Sequence, residues 1–322
     1  MNILFVAPGF DYLSSVLKEG LHLHSKINSD IKFKCTTGND HHSNRMNDLT
    51  PVSEQEFLDN ISWADVLAFS SAGNMFQWSE KEKRILDEPA FKKKRVFVDG
   101  CDSNEILINP AKQSIYFKRE LRYPQCFEYP VTNIRSLLFG IYQYHTELWE
   151  DPENIDYVSE FNKRDIDVSF VCFSGSNPIR RVCHNVLGEI NGQKGLNIVT
   201  KISDTEQPVK KEEYDDILNR SKISVSMIGA GLDTLRFWEI PARGSVLCSF
   251  AIQDILMCRN MFEIDRHCIY FKKWEEMVSG IAKVVFDPMR WIKMRKACDH
   301  ARYQHTSVAR ADEFIRICKE ML

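Results

Sequence analysis

The stretch Ser221–Gly244, SKISVSMIGAGLDTLRFWEIPARG, decides how this chain is read. Lys222–Ile228 is short, apolar and β-branched, the composition of a strand buried on both faces of a parallel sheet. Gly229 and Gly231 end that pattern and allow backbone angles, or a ligand approach, that side chains would block. Asp233 or Thr234 then caps a helix. On that helix Arg236 and Glu239 are three residues apart and share a face, while Phe237 and Ile240 turn inward. Pro241 predicts a kink or an early end, and Gly244 suits the exit. A strand, a glycine turn and a short helix result, with one cation and one carboxylate at the mouth where open α/β sheets bind ligands. The same pair also reads as a plain surface ion pair.

Outward from this unit, 322 residues suffice for two α/β domains, because single cores stop growing at about 250–300 residues. A hydrophobic fraction of 43% and a charged fraction of 27% are those of an ordinary globular protein. A net charge of −3 argues against sequence-independent nucleic-acid binding. The ten cysteines form no CxxC pair, so neither a zinc site nor a disulfide framework is signalled, and reduced thiols in a cytoplasmic protein are expected. No apolar run reaches the roughly 18 residues of a membrane span. MNILFVAP reads as a strand without the basic region of a signal peptide.

Strands and helices alternate along both halves. In the first, Asn2–Ala7, Ile31–Thr36, Asp65–Ser70, Arg95–Asp99 and Ile115–Lys118 read as strands, with helices over Leu13–Ser25, Glu54–Ser62 and Ser79–Leu86. Tyr123–Asp167 breaks the rhythm with three prolines and many aromatics and reads as an irregular connection. The rhythm restarts with strands at Asp167–Phe173, Leu196–Ile202, Ser245–Phe250 and Cys268–Phe271, and helices close the chain. The expected fold is α/β, with two Rossmann-like domains whose sheets are parallel. The domain expectation is 1–145, a linker 146–165, a second domain 166–305 and a terminal helix 306–322.

In the second half the turn Phe173-Ser174-Gly175-Ser176-Asn177-Pro178 leads into Arg180 and Arg181. Small residues let amides approach an anion, the helix start attracts negative charge, and either arginine can add a bidentate contact. An ordinary βα turn with solvated arginines is the alternative. No P-loop or GxGxxG is present, since Thr234 stands where a third glycine belongs. In the first half Gly9, Ser71, Gly73, Asp99, Asp102 and Lys118 lie at strand ends. Gly100 and Cys101 carry Asp102 past its strand, which favours it over Asp99, although an Asp after Gly also serves as a turn former. Lys118-Arg119-Glu120 is either a solvated charge run or a binding strip. His41 and His42 have no third metal ligand paired with them. His305 is expected to start or cap the final helix.

The quoted stretch resembles the donor-site strand and helix of GT-B glycosyltransferases. Its S-K-I strand, R-x-x-E helix and A-x-G exit are similar to the family-1-like group that includes the spore-maturation CgeB-type proteins. The tail is similar as well: Trp274-Glu275-Glu276, Asp287-Pro288, His305-Thr306 and Arg310. FSGSNPIRR stands where that family has its diphosphate loop. The likeness covers Asp167–Phe314; before Tyr144 only the fold rhythm and VDGCDS…YFKRE support it. The resemblance implies two lobes facing across a cleft, a terminal helix crossing back to the first, and transfer of a sugar (hexosyl or pentosyl) from a nucleotide-diphosphate sugar to a hydroxyl acceptor. It implies donor contacts at Ser174, Gly175, Ser176, Arg180, Arg181, Gly229, Gly231, Asp233, Thr234, Arg236 and Glu239, with Glu239 on the ribose. An acceptor side at Gly9, Ser71, Gly73 and Lys118 follows, with Asp102 as base if the reaction inverts. Metal independence is expected, with no cofactor beyond the nucleotide sugar as co-substrate. Many relatives carry a second glutamate where this chain has Gly231. Two alternatives stay open: a sugar-nucleotide epimerase or hydrolase, and a non-catalytic nucleotide-binding protein on the same scaffold.

Overall fold

The computed structural model describes residues 1–322 except 8–10, 38–47, 72–77, 104, 123–131, 192–194, 204–208, 253–255 and 257–260, and except the side chains of 54 and 55. The chain forms two compact units: Met1–Glu147 with Leu256–Cys258 and His305–Leu322, and Leu148–Ile255 with Arg259–Gln304.

The first unit is built on β1 (Asn2–Val6), β2 (Lys32–Cys35), β3 (Val66–Ser71), β4 (Arg95–Asp99), β5 (Ile115–Lys118) and β6 (Ile134–Ser136). All pair in parallel, in the order β2-β1-β3-β4-β5-β6. Helices α1 (Tyr12–Ile27), α2 (Glu54–Trp63) and α3 (Glu80–Asp87) connect the first four, and α4 (Gln143–Thr146) follows β6. Serine–glutamate capping boxes, Ser53 with Glu56 and Ser79 with Glu82, start α2 and α3. Leu67, Phe69, Phe97 and Tyr116 fill one face with Trp78, whose indole stands edge-on to Phe69 and Phe97 at 5.8 Å each.

The second unit holds β7 (Ile166–Phe173), β8 (Ile198–Ser203), β9 (Ser221–Ser226), β10 (Val246–Phe250) and β11 (Cys268–Phe271). These too are all parallel, in the order β11-β10-β9-β7-β8. Its helices are α5 (Tyr157–Lys163), α6 (Ile179–Ile190), α7 (Lys211–Arg220), α8 (Leu235–Ala242), α9 (Trp274–Val285) and α10 (Pro288–Arg302). Val168, Phe170, Ile223, Val225, Leu187 and Trp291 form its core, and the Trp291 indole donates to the Lys222 carbonyl at 2.8 Å.

The last helix, α11 (Ser307–Met321), packs on α1 within the first unit. The backbones meet so closely that a Cβ at Gly20 would strike the Ser307 carbonyl. Ile141 and Ser307 hold the helix start in place, with Ile141 N donating to His305 O at 2.7 Å and Ser307 N to Ile141 O at 2.8 Å.

Two sequence expectations are corrected. Within Tyr123–Asp167 the chain adds a sixth parallel strand, β6, and the helices α4 and α5; β6 is three half-buried residues at a sheet edge, too short for a period-2 signal. Thr306, not His305, caps the final helix, accepting from Ala309 N at 3.2 Å. The buried His305 faces Arg310 instead, ring nitrogen to Nη2 at 3.1 Å.

Candidate functional site

The second sheet reverses its strand order between β7 and β9, and the loops after those two strands open the crevice such sheets use for ligands. After β7, Ser174–Ser176 makes one 3₁₀ turn, then Asn177 and Pro178 lead into α6. After β9, Gly229 N donates to Gly231 O at 2.8 Å and closes a tight turn. Asn177 ties the two loops together. Its Oδ1 accepts from Ile179 N and its Nδ2 donates to Gly229 O, both at 3.1 Å. Sequence reasoning passed over Asn177; its signal was an Asn directly before the Pro of a strand-to-helix turn.

Arg180 lies beneath both loops, 4% exposed. It donates to the carbonyls of Ile228 (2.9 Å), Phe173 (2.9 Å) and Met227 (3.4 Å). Burial, with help from Arg236, lowers its pKa to about 10. Its expected role as a diphosphate contact is therefore corrected: this guanidinium clamps the ends of β7 and β9. Asp233 is corrected likewise. It is buried and accepts from the Trp238 indole at 2.7 Å, fastening α8 to its own entry. Thr234 occupies the cap position without making a cap bond, its hydroxyl 3.3 Å from Ser226 Oγ. Ser174 is buried, with its hydroxyl 3.4 Å from Ser203 O, and Ser176 Oγ donates to Phe173 O at 3.2 Å. A Cβ at Gly175 would lie 2.6 Å from the tip of the exposed Phe173 ring, which would have to move aside. Gly229 and Gly231 are buried in the turn, and Arg181 stands exposed on α6.

Arg236 and Glu239 stand on the first turns of α8, and they do not pair with each other. Glu239 Oε2 accepts from the Tyr214 hydroxyl of α7 at 2.9 Å. Arg236 lies over the Tyr214 ring at 5.8 Å. Among the described residues its guanidinium has no hydrogen-bond acceptor, and its Nε is buried without a partner. Burial first and Glu239 second raise the Tyr214 pKa well above the usual phenol value, so the hydroxyl stays a donor. Tyr214 was missed in the sequence because it lies 25 residues from Glu239. The helix runs through Pro241 to Ala242, then exits at Gly244 with φ +81°.

In the first unit the described ends of β4 and β5 are filled. Asp99 is fully buried, accepting from Lys118 Nζ at 3.0 Å, Cys101 N at 2.9 Å and the Tyr116 hydroxyl. Lys118, expected on an acceptor surface, has no exposure and is engaged by Asp99; that expectation is corrected. The Lys118-Arg119-Glu120 triplet is neither solvated nor a strip, since all three are buried. Arg119 pairs with Asp102 and lies 4.4 Å over Phe139, and Glu120 lies 3.4 Å from both Arg119 and Arg122. The Asp102 side chain itself is 57% exposed. Ser71 is buried, its carbonyl taking Gly100 N at 2.8 Å. Gly9, Gly73, His41 and His42 lie outside the described residues.

Asp11 was missed. It caps α1, accepting from Leu13 N (3.1 Å), Ser14 N (3.2 Å) and Ser14 Oγ (2.5 Å), with Gly100 packed on its carboxylate. Burial raises its pKa although those bonds oppose the shift. Its signal was an acidic residue directly before an apolar helical run. No group of three or more His, Cys, Asp or Glu side chains gathers for a metal among the described residues.

Solved structures superpose on nearly the whole chain. An alpha-glucosyltransferase in complex with UDP and a 13-mer DNA containing a HMU base is 13% identical, with a TM-score of 0.55 over 99% of both chains. Anabaena Alr3699/HepE in complex with UDP-glucose is 10% identical, with a TM-score of 0.56 over 99% of this chain and 100% of that one. The fold is GT-B. A third GT-B-like neighbour, S. aureus MnaA with UDP, is 7% identical, with a TM-score of 0.54 over 98% of this chain and 95% of that one. A family model described as glycosyl transferase-like matches residues 183–316, a span that holds Tyr214, the glycine turn, Arg236 and Glu239. A search of curated proteins finds no significant match.

Proposed function

We propose that this GT-B chain transfers a glycosyl group from a nucleotide-diphosphate sugar to a hydroxyl acceptor, with the nucleotide held at the β7/β9 mouth. One observation carries the reading: Arg236 is a half-buried cation with no acceptor among the described residues, on the same helix face as a carboxylate oriented by Tyr214. A ribose supplies hydroxyl donors to Glu239, and a diphosphate supplies acceptors to Arg236 and to the exposed Arg181. Negative charge grows on the leaving diphosphate in the transition state, so a fixed guanidinium lowers the barrier. Support comes from the glycosyl transferase-like match over this span and from neighbours bound to UDP.

Asp102 is the proposed acceptor base if the configuration inverts, held by Arg119 with its carboxylate open to solvent. Metal independence, hexosyl or pentosyl transfer and the CgeB-type affiliation are parts of the same proposal. Calorimetry with UDP, GDP and their sugars tests it. Wild type is expected to bind one nucleotide, and Arg236→Ala to weaken it by about 1.5–3 kcal/mol, ten- to a hundredfold. Nucleotide affinity left intact by both Arg236→Ala and Glu239→Ala sinks the site assignment. Loss of transfer in EDTA sinks metal independence alone, and NMR of donor incubated without acceptor separates transfer from epimerisation.

A further inference from the structure

The second unit carries another cavity at the opposite edge of its sheet, where the strands begin. Arg164 precedes β7, Ser221 opens β9 and Gly244 precedes β10. Six residues of β9 at about 3.3 Å each put this edge about 20 Å from the glycine turn. The cavity measures about 240 Å³, and Arg164, Arg243, Arg295 and Arg302 line it together with Trp149 and Asn219.

Four guanidinium groups around one hollow are unfavourable unless each finds partners. Their described partners are incomplete. Asp299 is buried between Arg302 Nη1 (2.9 Å) and Arg295 Nε (2.8 Å), and also accepts from the Tyr157 hydroxyl at 3.1 Å. Arg243 Nη2 reaches Asp215 at 2.6 Å. Arg164 donates through Nη1 to Leu218 O (3.2 Å) and Ser221 O (2.7 Å) and through Nη2 to Arg243 O (3.3 Å), and Arg302 Nη1 also reaches Pro241 O (3.4 Å). The Nε atoms of Arg164, Arg243 and Arg302 remain buried without acceptors, and Arg164 and Arg302 are 6% and 2% exposed. Neither terminal nitrogen of Arg295 has an acceptor among the described residues. They lie where a Gly244 side chain would be, and Gly244 already requires glycine for its φ of +81°. Trp149 walls the hollow, its ring 4.0 Å from the Arg302 guanidinium and its indole donating to Ala242 O at 2.9 Å. Two acids, Glu150 and Glu160, also line it, and Glu160 stays 3.9 Å from Arg164 Nη2, beyond hydrogen-bond reach. Desolvation, then the charge of Arg295, lowers the Arg164 pKa to about 9.

We propose that this cavity binds a compact phosphate-type oxyanion, either inorganic phosphate or the phosphomonoester end of a small metabolite. It is smaller than the roughly 300–1,000 Å³ of drug-sized ligand sites, and guanidinium forks match tetrahedral oxyanions bidentately. The assignment is independent of the nucleotide reading.

Calorimetric titration of the full chain with inorganic phosphate, against chloride at equal ionic strength, tests it, with glucose 6-phosphate as the second arm. Saturable one-to-one binding is expected, tighter for whichever of the two the cavity takes. Arg295→Lys keeps a cation beside Asp299 and removes the fork; about tenfold weaker binding is expected, equal to about 1.4 kcal/mol. Asn219→Asp, at an exposed lining position, introduces a negative charge without disturbing the core and is expected to weaken binding severalfold. Arg236→Ala is expected to leave phosphate affinity as in wild type. No saturable binding of either ligand, phosphate binding lost in Arg236→Ala, or wild-type affinity in both Arg295→Lys and Asn219→Asp overturns the proposal.

Discussion

The two sheets share a strand order and differ at their carboxyl edges. β1 lies between β2 and β3 as β7 lies between β8 and β9. At the edge of the first sheet the described charges are matched inward: Lys118 on Asp99, Arg119 on Asp102, and Asp11 on Ser14 beneath Gly100. At the edge of the second, Arg180 is matched just as fully by carbonyl groups, while Arg236 has no acceptor among the described residues. Topology places a mouth at both edges; local pairing decides whether a side chain there has bonding capacity left for a ligand.

Substitutions sharpen or break that contrast. Lys118→Ala strands the buried Asp99 and is expected to lower the unfolding free energy by about 3–5 kcal/mol in urea titrations. A loss below about 1 kcal/mol erases the contrast, since such small losses mark surface charges. Arg180→Ala orphans three carbonyl groups and is expected to cost about 3 kcal/mol of stability. Arg236→Ala is expected to stay within about 0.5 kcal/mol of wild type in the same titration, as a position without structural bonds should. Tyr214→Phe frees Glu239, and UDP affinity should fall about fivefold, about 1 kcal/mol, with the fold unchanged. Wild-type affinity there means the hydroxyl does not orient the carboxylate.

The smallest expected effect is a pH slope. Burial raises the folded-state pKa of Asp11 above its ordinary 3.8, so the folded chain keeps this proton to higher pH than the unfolded chain does. Stability from this residue is therefore present on the acid side and is lost as pH climbs from 3.8 through the raised value. Asn caps as well as Asp, so Asp11→Asn isolates the ionisation. Wild-type stability minus that of Asp11→Asn should decline as pH rises above 3.8; a flat difference removes Asp11 from the account.

Much of the fold was legible. Arg95–Asp99, Ile115–Lys118 and Cys268–Phe271 were read to the residue, because each is a short, largely apolar run between clear breaks. β6 was not, because three half-buried edge residues carry no pattern. The site was legible in outline only. The R-x-x-E spacing located Arg236 and Glu239, since helical geometry is local. The fates of Arg180 and Lys118 were hidden, because their partners are carbonyl groups and an aspartate from other strands, and a sequence shows that a side chain is charged before it shows what surrounds it.

The pairing of α11 with α1 bears on how the protein is made. The second unit is complete by Gln304, yet the first waits for α11. During synthesis the later-encoded body therefore has all its residues before the earlier one does. A nascent chain stopped at Glu147 leaves the groove beside Gly20 uncovered, with Leu13, Val16 and Leu17 on the helix that should have been sheltered. A truncation that removes α11 thus injures the first unit before the second.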